Sequence, residues 1–198
     1  NAETSESFEI GMKKDFSEQN LRINAALHYT TIEDFQANTF TGAGFNLQNA
    51  GDIETSGLEL EVTWLPADTW EVNLAYARTN AEFETFERGN CWVAYTWHTG
   101  IQDPGQANPD NPNPYCDRSG GRLGGEPEDY AVLKVKKEME LSDSIYSYFQ
   151  LEYSYTGDMQ LDSSGDPFKF QGSYNLLNLR FYMNFDEYDT DVILWGRN

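Results

Sequence analysis

Hydrophobic and polar residues alternate along most of this chain, with the two-residue period that β-strands produce. The clearest case is the stretch from residue 58 to residue 77. Its first half divides between two faces: Leu58, Leu60, Val62 and Trp64 against Glu59, Glu61 and Thr63. After a break at residues 65–69 the alternation resumes at Trp70. We therefore predict an antiparallel hairpin in which Trp64 lies opposite Trp70 and one whole face is apolar.

The same alternation predicts eight strands in all. They end near Phe16, Thr39, Trp64, Phe86, Leu141, Tyr155, Phe185 and Asn198. Across the first turn, pairing Phe16 with Leu21 places Asp15 opposite Arg22, so both faces of the hairpin agree on one register. This agreement supports a strand pair over the first thirty residues.

A later hairpin shows the same agreement between its two faces. Pairing Leu141 with Ile145 across the turn at residues 142–144 places Lys134 opposite Glu152. Opposite charges facing each other across two strands are favourable. Lys137 falls on the apolar face in this register, which counts mildly against it.

The connections between the predicted strands alternate in length. Short connections lie near Ser17, Pro66, Ser142 and Asp186, and longer ones near Gly42, at 87–128 and near Asp162. Because consecutive antiparallel strands reverse direction, all short turns lie at one end and all long loops at the other. This asymmetry is typical of outer-membrane barrels, with periplasmic turns and extracellular loops. The predicted fold class is therefore all-β, an antiparallel transmembrane β-barrel.

Composition narrows the possible partners. The chain has 13 basic and 33 acidic residues, for a formal net charge of −20 at pH 7. Such a chain repels phosphate backbones, so we expect no nucleic-acid binding. No apolar run is long enough for a transmembrane helix. A membrane β-barrel is not excluded by this, because half of the residues in each barrel strand are polar.

Three segments stand out by their order and spacing. They are Phe8-Glu9-Ile10-Gly11-Met12-Lys13, Asn49-Ala50-Gly51 followed by Ser56-Gly57-Leu58-Glu59-Leu60-Glu61, and Ile193-Leu194-Trp195-Gly196-Arg197-Asn198. Together they resemble the barrel of TonB-dependent outer-membrane receptors. The resemblance covers most of the chain outside the long loops.

The resemblance implies a barrel of about 22 strands with a plugged lumen. Residues 1–198 would form its C-terminal portion, with residues 87–128 as a long extracellular loop and with the plug and the closing strand absent. It implies a multi-pass protein of the Gram-negative outer membrane, in contact with lipid and lipopolysaccharide. Such receptors bind a scarce, bulky nutrient outside the cell, and the TonB–ExbB–ExbD complex supplies energy through the plug. Siderophore, cobalamin and glycan cargoes all stay open.

The long loop holds the candidate ligand site. Cys91 and Cys116 favour a disulfide over a zinc site, for which only two histidines could complete the ligands. Four aromatic residues lie near this pair: Trp92, Tyr95, Trp97 and Tyr115. Their rings could stack on a sugar or an aromatic chelator, a small molecule or an oligosaccharide. Alternatively they form the loop's own small core.

Six charged residues are predicted on the polar, lumen-facing side of the strands: Arg22, Glu59, Glu61, Lys134, Glu152 and Arg180. Arg180 is predicted to lie opposite Trp195. Glu59 and Glu61 are explained by strand alternation rather than by acid–base chemistry, so no enzyme is predicted. We predict no cofactor and no metal site.

Two functions fit the pattern of the chain. The first is an outer-membrane active transport receptor, with the apolar faces toward lipid. The second is a secreted or surface β-sandwich, a binding module or adhesin, with the same apolar faces buried against each other. They differ in one observable. A sandwich seals Leu60, Val62, Leu74 and Leu179 in an interior, whereas a barrel wall leaves them facing outward.

Overall fold

The computed structural model describes residues 2–40, 45–90 and 115–198, without the side chains of residues 37–40, 45–50, 90 and 115. In chain order the strands are β1 Thr4–Phe16, β2 Leu21–Phe40, β3 Phe45–Ala67, β4 Trp70–Thr85, β5 Gly89–Asn90, β6 Tyr115–Cys116, β7 Asp129–Ser142, β8 Ile145–Thr156, β9 Met159–Gln160, β10 Phe170–Gln171, β11 Tyr174–Phe185 and β12 Thr190–Arg197. Two short 3-10 turns span Ser17–Gln19 and Asp186–Tyr188. No helix within the described ranges is long and apolar enough to cross a membrane.

Eight of the strands form one antiparallel sheet in the order β1-β2-β3-β4-β7-β8-β11-β12. The eight predicted strands are therefore confirmed, and each pairs with its neighbour along the chain. The remaining strands form two small pairs, β5 with β6 and β9 with β10, beyond the ends of the large sheet. The sheet is open, with β1 and β12 at its edges.

The four short turns lie at one end of this sheet. Two of them share one design, a 3-10 turn that closes on a left-handed residue, Asn20 with φ 49° and Asp189 with φ 46°. Asn and Asp tolerate this backbone conformation better than other side chains do. The other two turns are two-residue connections, at 68–69 and 143–144.

The predicted registers hold in three hairpins. Phe16 pairs with Leu21, and Asp15 lies opposite Arg22. The polar faces also agree at the other two sites, where Lys134 lies opposite Glu152 and Arg180 opposite Trp195.

Two predicted registers are wrong. In the hairpin of β3 and β4 the error is two residues at every predicted pair, so that Leu60 lies opposite Tyr76 rather than Leu74. Trp64 lies opposite Val72 rather than Trp70, because an irregularity at residues 65–66 interrupts the ladder. Pro66 has no N–H to donate to a neighbouring strand, so an interruption there is expected. The shift is two residues, the strand period, so every side chain keeps its face.

The second shift lies in the hairpin of β7 and β8. Ser142, rather than Leu141, lies opposite Ile145, after an irregularity between Glu140 and Ser142. From Tyr130 opposite Thr156 to Glu140 opposite Tyr146 the predicted pairing is intact. The error is therefore confined to the last turn of the hairpin.

The apolar face of the sheet is uncovered. Phe8 is 68% exposed, Ile10 72% and Leu179 39%. The buried hydrophobic residues of the described ranges are Ile53, Phe83, Phe86 and Cys116. Leu60, Val62 and Leu74 are only partly buried. The sealed interior that a β-sandwich needs is not present among the described residues, which excludes that alternative fold.

The buried cluster lies at the long-loop end of the sheet. Ile53 and Phe83 are each 1% exposed and lie opposite one another on β3 and β4. The Phe83 and Phe86 rings are 4.7 Å apart between centroids, and Leu123 packs against them from the returning loop. That loop hydrogen-bonds along β4, with Leu123 N donating to Ala81 O at 2.9 Å.

Two glycines of the second motif have a steric role beside this cluster. Gly51 has φ +105°, and a Cβ there would lie 1.8 Å from Thr85 O. A Cβ on Gly57 would lie 2.6 Å from the backbone oxygen of Arg78 on β4. Any larger residue would therefore separate β3 from its neighbours.

Candidate functional site

The polar face of the sheet carries ion pairs and amides. Asp15 accepts a hydrogen bond from Nε of Arg22 at 2.6 Å. Lys134 Nζ lies 3.3 Å from Glu152, whose other oxygen accepts a hydrogen bond from Asn178 at 3.1 Å. These contacts link three neighbouring strands, β7, β8 and β11, into one network.

Glu59 and Glu61 lie on the same face, further toward β1. Asn24 donates a hydrogen bond to Glu61 at 3.1 Å. Both glutamates line an open recess of about 480 Å³, together with Glu9 and Lys13. Carboxylates outnumber cations here, so this part of the wall attracts cationic groups.

Toward its β12 edge, the same polar face carries more basic groups. Arg180 lines a recess of about 330 Å³ with Glu152 and Trp195. The cation above the Trp195 ring is Arg197, with its guanidinium carbon 5.0 Å from the ring centroid. This contact was not predicted, because it joins two residues of one strand, whereas the predicted pairs join neighbouring strands.

A second aromatic group lies near the short turns. Tyr148 and Tyr182 stack with centroids 4.9 Å apart, and Lys136 Nζ lies 4.9 Å from the Tyr148 ring. The Tyr182 hydroxyl donates to Asp191 at 2.7 Å. These side chains come from β7, β8, β11 and β12. Their meeting depends on the register between β8 and β11, which the predicted hairpin pairs do not give.

A charged cluster ends the apolar face toward the long loops. Arg78 contacts Glu128 and lies 3.5 Å from Asp129, which accepts a hydrogen bond from the Tyr76 hydroxyl at 2.6 Å. Arg78 and Asp129 lie opposite each other on β4 and β7. The stretch of β4 from its aromatic end, Trp70, to its charged end, Arg78, is therefore nine residues long.

The two outer loops contact each other. Arg122 pairs with Asp158 at 2.8 Å, and Gly125 N donates to Gln160 O at 2.7 Å. Lys169 hydrogen-bonds to Asp162. Burial alone would raise the pKa of Asp162, but hydrogen bonds from Lys169 and Ser164 outweigh it and lower that pKa.

The predicted ligand residues fall mostly outside the described residues. Cys91, Trp92, Tyr95 and Trp97 lie there, and Tyr115 is described only by its backbone, paired with Asn90. Cys116 is buried and disulfide-bonded. Its pairing with Cys91 stays a prediction.

Metal ligands are sparse in the part of the chain that the structure describes. It holds no group of three or more histidine, cysteine or acidic side chains close enough to share an ion. The absence of a metal site stays a prediction.

A single open sheet, apolar and uncovered on one side and ionic on the other, defines the wall of a membrane β-barrel. The family comparison agrees. The model of the family described as "TonB dependent receptor-like, beta-barrel" matches residues 1–198. The chain belongs to this family of outer-membrane transport receptors. No curated protein matches it.

Solved structures show the same fold. The ferric yersiniabactin uptake receptor FyuA of Yersinia pestis matches with a TM-score of 0.66 and 19% identity, over 99% of this chain and 24% of that chain. The FrpB iron transporter of Neisseria meningitidis matches at 0.62 and 14% identity, over 100% and 27%. The ferric-catecholate import receptor Fiu of E. coli K12 matches at 0.55 and 19%, over 91% and 21%. The chain thus spans about a quarter of these receptors.

Proposed function

We propose that this chain is part of an outer-membrane active transport receptor of a Gram-negative cell. The observation that carries the proposal is the height of the apolar band. The band spans nine residues of β4, from Trp70 through Arg78, and the facing strand β7 has Lys137 and Asp129 at the same two levels. A membrane-spanning β-strand needs about 9–11 residues. The band therefore matches the thickness of a bilayer's apolar core.

The orientation follows from the lengths of the connections. Short turns at one end and long loops at the other are the pattern of barrels with periplasmic turns and extracellular loops. Phe16, Trp64 and Trp70, near the short turns, are 37%, 43% and 39% exposed on the apolar face. Aromatic residues at this level form the girdle at a membrane boundary. The apolar face then meets lipid, with lipopolysaccharide around the outer end, and the polar face lines the passage.

The eight strands are proposed to be the C-terminal part of a plugged barrel of about 22 strands. TonB-dependent receptors as a family interact with TonB and bind small-molecule ligands. We infer that a plug domain beyond this chain couples the barrel to the TonB–ExbB–ExbD complex. The family is one of transport receptors, so no catalysis is proposed.

The cargo is proposed to be a scarce, bulky nutrient of the siderophore, cobalamin or glycan class. The three similar structures are of a ferric yersiniabactin uptake receptor, an iron transporter and a ferric-catecholate import receptor, so ferric chelates are the first ligands to test. Trp92, Tyr95, Trp97 and Tyr115 are proposed to contact the cargo. A bridge between Cys91 and Cys116 would hold these rings above the passage.

Uptake by cells with and without the intact receptor tests the proposal. Labelled ferric siderophores, cobalamin and oligosaccharides are offered separately, with and without a protonophore. We expect accumulation of one class to require both the receptor and the proton gradient. Unchanged uptake of all three classes in the deletion strain would contradict active transport.

A matched pair of variants tests the ligand site in the full-length receptor. Trp97→Ala is expected to weaken ligand binding by about tenfold, the loss of roughly one stacked ring. Trp64→Ala, on the apolar face, is expected to leave affinity unchanged. Equal affinities for both variants would assign the loop aromatics to the loop's own core.

A further inference from the structure

Two lysines lie on the otherwise apolar face of the sheet near the short turns. Lys14 alternates with Met12 and Phe16 on β1. Lys137 lies between Trp70 on β4 and Phe149 on β8. A charged side chain in this position is costly in hydrocarbon unless its end reaches a polar environment.

The Lys137 ammonium group is held at the level of a turn. Its Nζ donates a hydrogen bond to Oγ1 of Thr69 at 2.5 Å and lies 5.0 Å from the Trp70 ring centroid. Thr69 belongs to the turn between β3 and β4, and its carbonyl accepts a hydrogen bond from Glu138 N at 2.8 Å. The side chain therefore runs along the apolar face and places its charge at the membrane boundary.

Lys14 repeats this arrangement four strands away. Its Nζ lies 5.7 Å from the ring of Phe16, the last residue of β1. Each lysine thus lies near an aromatic ring at a short turn, Phe16 on its own strand for Lys14 and Trp70 on the neighbouring strand for Lys137. The repeated geometry places both ammonium groups at the same end of the apolar band.

Neither lysine has a carboxylate partner within the described residues. By contrast, the ammonium groups of Lys134, Lys136 and Lys169 each lie within 4.0 Å of a carboxylate oxygen. The two charges on the apolar face are therefore available to an anion from the surroundings.

We propose that Lys137, Thr69 and Trp70 bind the phosphate of a phospholipid headgroup in the periplasm-facing leaflet, and that Lys14 with Phe16 binds a second. This inference rests on the proposed function, which places the apolar face in the membrane. An ammonium group suits a phosphate as a point charge. Because Thr69 Oγ1 accepts from Lys137, its own O–H can donate to a phosphate oxygen. The indole ring sits at headgroup depth.

Lipid retention by the full-length receptor tests the site. Phosphatidylglycerol is titrated onto the purified receptor in mild detergent, and bound lipids are counted by native mass spectrometry. Lys137→Gln is expected to weaken binding about fivefold, the effect of one basic residue at an anionic surface. Lys134→Gln, on the same strand but on the polar face, is the matched control and should bind as the wild type does.

Two results would overturn the inference: unchanged lipid binding in Lys137→Gln, or an equal loss in Lys134→Gln. Glycerol phosphate is added as a competitor, and full displacement of the lipid by it would assign the site to free phosphate instead.

Fluorescence separates this inference from the proposed function. Brominated lipids quench the fluorescence of tryptophans that contact lipid. The part of this quenching that is lost in Trp70→Phe reports whether residue 70 meets lipid. Absence of that quenching would contradict the membrane placement itself. Quenching together with unchanged lipid binding in Lys137→Gln would overturn only the headgroup site.

Discussion

The membrane-level part of the sheet and its outer end contain the same strands but are stabilised differently. In the membrane-level part, backbone hydrogen bonds and side-chain pairs such as Lys134 with Glu152 join the strands, and one face stays uncovered. At the outer end, Ile53 and Phe83 are sealed beneath a returning loop. The lower part therefore depends on its surroundings for burial, whereas the outer end has a core of its own.

The largest effect is expected from the outer core. Phe83→Ala should destabilise this end by about 3 kcal/mol, because a buried phenylalanine leaves a cavity when truncated. Limited proteolysis of residues 115–128 in the full-length receptor measures the loss. Tyr130→Ala, at a side chain 45% exposed, is the control. Equal proteolysis of the two variants would contradict a core at the outer end.

A glycine between the outer loops should have the next largest effect. A Cβ on Gly124 would lie 2.4 Å from backbone atoms of Asp162, while nothing lies within 4 Å of the Cβ position of Gly172. Gly124→Ala should therefore cost about 1–3 kcal/mol through overpacking, and Gly172→Ala should cost little. Amide exchange at residues 158–162 measures the separation. Similar protection in both variants would show that the loops do not pack this closely.

The ion pair on the polar face should contribute less. A double-mutant cycle on Lys134→Ala and Glu152→Ala is expected to give a coupling of about 0.5 kcal/mol, since both side chains are partly solvated. The thermal midpoint of the receptor in detergent supplies the data. A coupling as large as the Phe83→Ala effect would mean that the passage is dry in the intact protein.

The smallest effect is expected from pH. The hydrogen bond with Asp162 raises the pKa of Lys169, and hydrogen bonds lower that of Asp162 despite its burial. The stabilisation by Asp162 is therefore present above its ordinary pKa of 3.8 and is lost as pH falls through the lowered value. That of Lys169 is present below 10.5 and is lost as pH rises past its raised pKa.

Amide protection of residues 161–169, corrected for intrinsic exchange, should be constant between these limits and fall in acid. Asp162→Asn should flatten the acid limb. An unchanged acid limb in that variant would assign the pH dependence to another group.

Much of the membrane-level sheet was determined by the sequence alone. A slip of one residue would turn every apolar side chain of a strand, such as Leu60, to the polar face. The two-residue period therefore specifies which face each side chain occupies, and it also specifies the register that places Asp15 opposite Arg22. The same period could not detect the irregularity at Pro66, because a shift of two residues leaves the pattern of faces unchanged. That shift was decided by backbone hydrogen bonding at the turn.

The outer end was decided by the tertiary structure. By strand alternation Ile53 falls on the same face as Glu59, and Phe83 on the same face as Asn73. Alternation alone therefore places both on the polar face, yet both are buried. Leu123, forty residues after Phe83 in the chain, packs over both from the returning loop. Hydrogen bonds between backbone groups, which every sequence has, set the path of that loop along β4. Alternation reports which face a residue occupies. Which distant segment covers that face depends on long-range packing, which local periodicity does not encode.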